Sequence, residues 1–218
     1  ALIQHQSTDI ESSASMTRYI SSSELADFSQ IYAPNVELVS ISRAEAGEIG
    51  DMATHLIEPG QKLEARWEQR TCSESTLLGS LAPRLNKELL YAINKEIKLA
   101  CEVLGMLLGC KRVGVRVATL REPMCPRFHV DRVSCRMLIT FTGRGTEWIA
   151  SDEVDRSLFA ERNNETPPIT ATGSVKSMTA GSWNLLKGST WDDKFFGVVH
   201  RSPLEAKDRL FLSLDPVF

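Results

Sequence analysis

Apolar residues recur at helical spacing through the first half of the chain. Between residues 77 and 108 they fall at mostly four-residue steps, which predicts one long amphipathic helix. Pro83 is expected in its first turn, and Gly109 follows its last turn. The apolar stripe comprises Leu81, Leu85, Leu89, Ile93, Ile97, Leu104 and Leu108. A stripe of this kind is typical of core packing, so we assign it no direct functional role.

Two shorter helices and one strand are predicted before the long helix. Ser21 and Glu24 have the spacing of a capping box, and the helical run that follows them ends at Pro34. A strand is predicted at 36–41 and a second helix at 44–57. Residues 21–110 are therefore expected to form a mainly helical support, preceded by a polar tail at 1–20.

Beyond residue 110 the apolar residues alternate with other residues instead. Val113, Val115 and Val117 are separated by Gly114, Arg116 and Ala118, which indicates a strand. Further strands are predicted at 136–141, 182–186, 195–200 and 209–214, and a long loop at 163–173.

Helices followed by many short strands predict an α+β fold, in which N-terminal helices cover one face of an antiparallel sandwich or small barrel. A long amphipathic helix has to bury its stripe, and the sheet is its nearest partner. We therefore expect a single domain over residues 1–218, with the functional site in a β core at 111–218.

The composition is that of an ordinary globular protein. Apolar residues make up 42% and charged residues 24% of 218, which excludes a disordered or fibrous chain. A net charge of −3 predicts no general attraction to nucleic acid or to an anionic membrane. We expect a cytoplasmic protein with reduced thiols. The sequence has no apolar run long enough to span a bilayer, no secretory pattern at residues 1–20 and no C-x-x-C pair among its five cysteines.

Candidate metal ligands stand out among the four histidines. His129 and Asp131 are two positions apart, so on an extended chain both side chains point the same way. His200 ends an apolar strand and can supply a third ligand. Two imidazoles and one carboxylate form the facial triad of non-haem ferrous sites. A hydrogen-bonded structural histidine beside an exposed aspartate is the alternative interpretation.

An arginine is expected beside these ligands. If residues 203–207 form a turn, the strands that flank it pair as a hairpin in which Arg209 lies opposite His200. Arg209 then shares a face with Phe211 and Ser213, while Leu210, Leu212 and Leu214 occupy the other face. A guanidinium there needs an anionic partner, and the carboxylate of a small dianion matches its geometry. An internal salt bridge, for instance to Asp131 or Glu147, is the alternative.

Together, the H-x-D pair, the distal histidine and the following arginine resemble the iron(II) and 2-oxoglutarate dependent dioxygenases. The resemblance covers about 113–215 and extends to Gly-Thr-Glu-Trp at 145–148 and to residues 180–186. It implies a double-stranded β-helix, a jelly roll related to the cupins. More narrowly, residues 125–131, 145–148 and 200–203 resemble an uncharacterised bacterial family of unknown function.

The resemblance also implies roles for individual residues. His129, Asp131 and His200 would hold Fe(II), and Arg209 would bind the distal carboxylate of 2-oxoglutarate. Thr119 would add a hydroxyl to that carboxylate. Some members of the superfamily pair the arginine with a serine two positions later, where this sequence has Phe211.

Two other classes of function remain open at this point. A cupin-like protein that binds zinc or another divalent metal, with a role in metal homeostasis, would use the same three ligands without oxygenase activity. A structural or interaction domain would bind no metal. Cys125 and Cys135 flank the H-x-D pair. Cys125 is interpreted either as a nucleophile with His129 as its base or as a zinc ligand, and the alternative is that both cysteines are small core side chains. The nearby basic residues, which could attract an anionic substrate or form a solvated strand edge, are Arg121, Arg127, Arg132, Arg136 and Arg144.

Overall fold

The structure is a computed structural model that describes residues 18–72, 84–161, 166–205 and 207–218. Its strands are β1 Arg18–Ser22, β2 Val36–Ser42, β3 Glu64–Arg70, β4 Arg112–Leu120, β5 Cys135–Thr140, β6 Glu147–Ile149, β7 Lys176–Ser177, β8 Ser182–Lys187, β9 Val199–Arg201 and β10 Arg209–Val217. Its α-helices are α1 Ala44–Leu56, α2 Lys87–Leu108 and α3 Arg156–Glu161, and Leu25–Tyr32 forms a 3-10 helix. None of the helices in these ranges is long and apolar enough to cross a membrane.

The strands form two sheets. The larger has seven strands in the order β1-β2-β8-β5-β10-β4-β3, and the smaller has the order β7-β6-β9. Neighbouring strands run antiparallel except β1 and β2, which are parallel. A strand of the larger sheet can therefore be buried on both faces, by helices on one side and by the smaller sheet on the other.

Strand β10 shows how the layers stack. Leu210, Leu212 and Leu214 join the core that includes the stripe of α2, whereas Phe211 joins a second cluster with Trp148 of the smaller sheet. The face predicted for the leucines is thus the face that packs on the helices. This arrangement confirms the predicted α+β fold, with N-terminal helices packed on a jelly roll.

The long helix begins later than predicted. It starts at Lys87 because the side chain of Asn86 accepts hydrogen bonds from the backbone N–H groups of Glu88 and Leu89. Gly109 ends the helix in the left-handed conformation, with φ of 70°, as its position predicted. The predicted start at residue 77 and the placement of Pro83 fall on residues outside the described ranges.

Four strands, β1, β3, β6 and β7, were not predicted. Arg18–Ser22, in the region expected to be tail and capping box, pairs with β2 as strand β1. Ser22 rather than Ser21 accepts a hydrogen bond from the backbone N–H of Glu24, and the helix that follows is 3-10. Strand β3 alternates exposed charged residues with Ala65, Trp67 and Gln69, but it contains no β-branched residue, so its local preference for a strand is weak. Pairing with β4 therefore decides its structure.

Two glycines of α1 give a matched test of packing. A methyl group added at Gly50 would overlap the carbonyl oxygen of Phe141, whereas one at Gly47 would meet nothing within 4 Å. We expect Gly50→Ala to lower the free energy of unfolding by about 1–3 kcal/mol, because backbone has to move. Gly47→Ala should raise it by up to about 1 kcal/mol, since alanine favours the helix. Urea denaturation of both variants checks this, and equal effects would contradict the proposed contact.

Glu37 is a buried carboxyl that links the two layers. Its side chain is fully buried, and it accepts hydrogen bonds from the backbone and hydroxyl groups of Ser151. Burial outweighs these hydrogen bonds and raises the pKa of Glu37 from 4.5 to about 7.

The folded state therefore favours protonated Glu37, and its contribution to stability is fully present below about pH 4.5. Between that pH and about 7 the free energy of unfolding should fall, relative to Glu37→Gln, by up to about 3 kcal/mol. Denaturation of both proteins across this pH range measures the difference. A difference that stays constant with pH would show that the carboxyl does not titrate in this way.

Candidate metal centre

The three predicted ligand residues meet at one point in the structure. One ligand atom from each of His129, Asp131 and His200 lies within 4.8 Å of the other two. The Nε2 atoms of His129 and His200 lie 3.7 Å from Oδ1 and 3.2 Å from Oδ2 of Asp131, respectively. The side chains of Asp131 and His200 are only 11% and 6% exposed and that of His129 is 34% exposed, so two of the three ligands are buried.

Backbone pairing places the two imidazoles side by side. His129 lies outside the regular strands, but its N–H and C=O groups exchange hydrogen bonds with those of His200 in β9, at 3.0 and 2.9 Å. The two rings are 4.5 Å apart between centroids. Asp131 follows in the same segment, and its backbone oxygen accepts a hydrogen bond from the N–H of Ser189. The smaller sheet therefore fixes both histidines, and the loop that carries Asp131 is tied to the segment after β8.

Hydrogen bonds also fix which nitrogen of each ring faces the cluster. Nδ1 of His129 lies 2.9 Å from the carbonyl oxygen of Arg127, and Nδ1 of His200 lies 2.9 Å from that of Val198. A carbonyl oxygen only accepts, so each Nδ1 carries the proton and donates. Both Nε2 lone pairs are then free for a metal, the orientation that ligating histidines commonly have.

The electrostatics of the cluster favour a charged carboxylate and a neutral imidazole. Burial acts to raise the pKa of Asp131, but the neighbouring His200, Arg136 and His129 together lower it to about 2. Burial lowers the pKa of His129, and the neighbouring His200 lowers it further. These are the protonation states that metal coordination requires.

The predicted hairpin between His200 and Arg209 is wrong. Strand β9 pairs with β6 in the smaller sheet, where His200 lies opposite Trp148. Strand β10 lies in the larger sheet, where Arg209 is opposite Leu120. The chain after His200 crosses between the layers, as consecutive strands of a sandwich can, so the turn residues did not imply direct pairing.

Arg209 nevertheless lies on the face of β10 that was predicted for it. Phe211 and Ser213 of that face line a cavity of about 520 Å³ together with the three candidate ligands. Arg209 itself lies beneath the cavity, 1% exposed, and its Nη2 donates to the hydroxyl oxygens of Thr140 and Thr146 at 2.9 and 3.0 Å. Thr146 also lines the cavity and so connects the guanidinium to it.

This guanidinium has no anionic partner among the residues that the structure describes. Its Nε is buried without a hydrogen bond, and burial alone lowers the pKa of Arg209 to about 10. The acids considered as alternative partners are engaged elsewhere: Asp131 lies 2.9 Å from Arg136, and Glu147 lies 2.7 Å from Arg201. Within the described ranges, the structure therefore does not contain the internal salt bridge that the sequence left open.

Thr119 does not join the site. It lies opposite Leu210, on the face of the larger sheet that packs against the helices. Its hydroxyl donates to the carbonyl of Gln61 at 2.7 Å and accepts from the N–H of Leu63 at 2.8 Å. The hydroxyl groups beside Arg209 instead come from Thr140 and Thr146. The sequence offered only the alternation of 136–141 as a signal for Thr140, and none for Thr146 beyond its place in 145–148.

The two cysteines near the H-x-D pair differ. Cys135 is buried in the helix-facing core, where burial raises the pKa of its thiol to about 12, so it is a core residue rather than a nucleophile. Cys125 lines the cavity, but it is not part of the three-residue cluster. Of the five basic residues, Arg136 contacts the cluster directly.

A family match and solved structures give the relationships of the chain. The family described as "Protein of unknown function (DUF1826)" matches residues 22–215. No curated protein matches the sequence significantly. A full-length Neurospora crassa protein, solved in complex with alpha-ketoglutarate, aligns over 94% of this chain and 86% of that chain, with 8% identity and a TM-score of 0.51.

Two further solved structures are more distant in shape. The rice dioxygenase for auxin oxidation aligns over 92% of this chain and 83% of that chain, with 9% identity and a TM-score of 0.49. A Pseudomonas putida prolyl-4-hydroxylase aligns over 89% and 99%, with 15% identity and a TM-score of 0.42. At such identities the likeness to the Neurospora crassa protein establishes a shared fold, and these two add nothing to it.

The metal-free protein should show the lowered pKa of His129 directly. We expect this imidazole to titrate below 6.5 in an NMR pH titration, because burial and His200 disfavour its charged form. Asp131→Asn should lower the value further, since the charge of Asp131 partly offsets those effects. A value above 6.5, or a rise in the variant, would contradict this description of the cluster.

Proposed function

The chain belongs to the DUF1826 family of proteins of unknown function, and we propose that it is a non-haem iron(II), 2-oxoglutarate dependent oxygenase. The observation that carries the proposal is a buried guanidinium without an anionic partner among the described residues, next to a two-histidine, one-carboxylate cluster. A zinc or iron site alone gives no reason to bury Arg209. A dicarboxylate that binds the metal at one end and Arg209 at the other accounts for both features.

The residues present fit a ferrous ion. His129, Asp131 and His200 would hold it through two Nε2 atoms and a carboxylate oxygen, the donor set of a facial triad, and one ligand atom of each lies within 4.8 Å of the others. When bound, iron and 2-oxoglutarate would together supply the activation of dioxygen for oxidation of a substrate. The protein would orient the co-substrate, hold the histidines in their metal-binding tautomers and keep Asp131 charged.

Arg209 would bind the distal carboxylate of 2-oxoglutarate together with two threonine hydroxyls. Thr140 and Thr146 already accept hydrogen bonds from Nη2, and their own protons are then available to a carboxylate. Phe211 takes the place where some members of the dioxygenase superfamily have a serine, and its ring lies 4.8 Å from the guanidinium carbon. It would cover the cation with an aromatic face, while the threonines would supply the hydroxyl groups.

The cavity above the cluster would receive the substrate. It combines apolar residues, such as Phe211 and Leu138, with Ser213 and Asp215 on the floor formed by β10 and β5. The likeness to the Neurospora crassa protein, which was solved with alpha-ketoglutarate, supports a fold able to hold such a co-substrate. Fold alone does not determine activity, so the proposal depends on the side chains.

Anaerobic titration with Fe(II) and 2-oxoglutarate tests the proposal. The wild type should show a weak visible charge-transfer band. Arg209→Met should keep the metal but weaken binding of 2-oxoglutarate at least about tenfold, since it loses hydrogen bonds to a charged group. His129→Ala and His200→Ala should lose both metal and band, whereas the exposed His55 offers a control in His55→Ala.

Two outcomes would contradict the proposal. If metal binds but 2-oxoglutarate gives no band and is not consumed, a cupin-like metal-binding function is favoured. If the wild type takes up no metal, a structural role without metal remains.

A further inference from the structure

Arg136 is the charged residue that holds the candidate carboxylate ligand. Its Nη1 lies 2.9 Å from Oδ2 of Asp131, and its Nε and Nη2 donate to the two carboxylate oxygens of Asp215 at 2.6 and 2.7 Å. A single guanidinium thus bridges two carboxylates, with a bidentate contact to one of them. The side chains of Arg136 and Asp131 are 26% and 11% exposed, so solvent only partly screens these contacts.

The two partners of Arg136 differ in how firmly the fold holds them. Asp215 lies in β10 and Arg136 in β5, one position beyond the paired residues Leu214 and Met137. Both therefore stand on the central strands of the larger sheet. Asp131 lies in a segment without regular strand structure, where a hydrogen bond from Ser189 reaches its backbone but not its carboxylate.

The histidines have a different support. Each imidazole is held by a hydrogen bond from Nδ1 to a backbone carbonyl, and the two residues pair through their backbones. The carboxylate of Asp131 has no equivalent contact with a backbone group of the residues that the structure describes. Its rotation about the Cβ–Cγ bond is therefore restrained by Arg136 on one side and the cluster on the other.

We infer that Arg136 is a positioning residue that, anchored by Asp215, fixes the carboxylate of Asp131 for metal binding. The inference rests on the proposed function, because it requires His129, Asp131 and His200 to bind a divalent metal. Arg136 itself does not contact the metal. Its contact with Oδ2 restrains the carboxylate of Asp131, so that the carboxylate presents a single orientation to the metal.

The direction in which metal affinity changes when Arg136 is replaced distinguishes a positioning role from a purely electrostatic one. A guanidinium close to a cation site repels the cation, so if charge alone mattered, loss of Arg136 would tighten metal binding. If Arg136 positions the ligand, its loss would weaken binding by about 10- to 100-fold, as is typical for partners of metal ligands. Lysine keeps the charge but cannot bridge both carboxylates as a planar fork does.

Titration of the protein with Co²⁺, followed by visible absorption, tests the inference without any substrate. Arg136→Lys and Arg136→Gln should both raise the dissociation constant by about 10- to 100-fold and shift the Co²⁺ bands. Arg112→Gln is the matched control. It removes an arginine of β4 that pairs with Glu68 and does not itself line the cavity. The affinity and spectrum of this variant should equal those of the wild type.

Each other result counts against the inference. Unchanged or tighter Co²⁺ binding in Arg136→Gln, with an unchanged spectrum, would overturn the positioning role even if unfolding shows lower stability. If Arg136→Gln does not fold, Arg136→Lys decides, and wild-type affinity in that variant would overturn it. A wild type that binds no Co²⁺ would overturn both this inference and the proposed metal site, which distinguishes the two failures.

Discussion

The burial of β10 on both faces is the constraint on which the site depends. Side chains of a strand alternate between the two faces of its sheet, so one face of β10 supplies leucines to the helical core and the other must supply the floor of the cavity. Arg209, Phe211, Ser213 and Asp215 fall on that second face. A shift of one residue in register would send Arg209 into the helices and a leucine into the cavity. The apolar core thus determines where the guanidinium and the anchor of Arg136 can be.

Local pattern was enough to predict much of this arrangement. The stripe of α2 and the alternation of β4 and β10 gave the fold class and the face on which Arg209 lies. The H-x-D spacing placed His129 and Asp131 on one side of the chain. These features were readable because each is set by residues only a few positions apart, where helix or strand geometry is the deciding factor.

The features that sequence reasoning missed depend on contacts between distant segments. Arg209 was expected to pair with His200 because a turn was predicted between them. A turn does not determine whether the two strands that flank it belong to the same sheet. Strand β3 forms because β4 offers it a partner, against a weak local preference. Thr119 was assigned to the site by its position in the sequence alone, but its hydroxyl forms hydrogen bonds with the backbone of Gln61 and Leu63. The link from Arg136 to Asp215 joins residues 79 positions apart, so no local pattern signals it.

The two arginines near the cluster, Arg136 and Arg209, have opposite electrostatic environments. Arg136 has carboxylates on both sides, so it stays charged and its contacts are satisfied within the protein. Arg209 has hydroxyl partners and an aromatic ring but, in the described ranges, no carboxylate, and burial lowers its pKa. A buried cation without a counter-ion is costly, and a sheet built only for stability gains more from an apolar side chain there. Binding of an anion would offset the free-energy cost of burying this cation. An arginine at position 209 therefore favours ligand binding but lowers the stability of the ligand-free protein. That conflict, confined to one face of one strand, is the physical argument for an anionic co-substrate at this site.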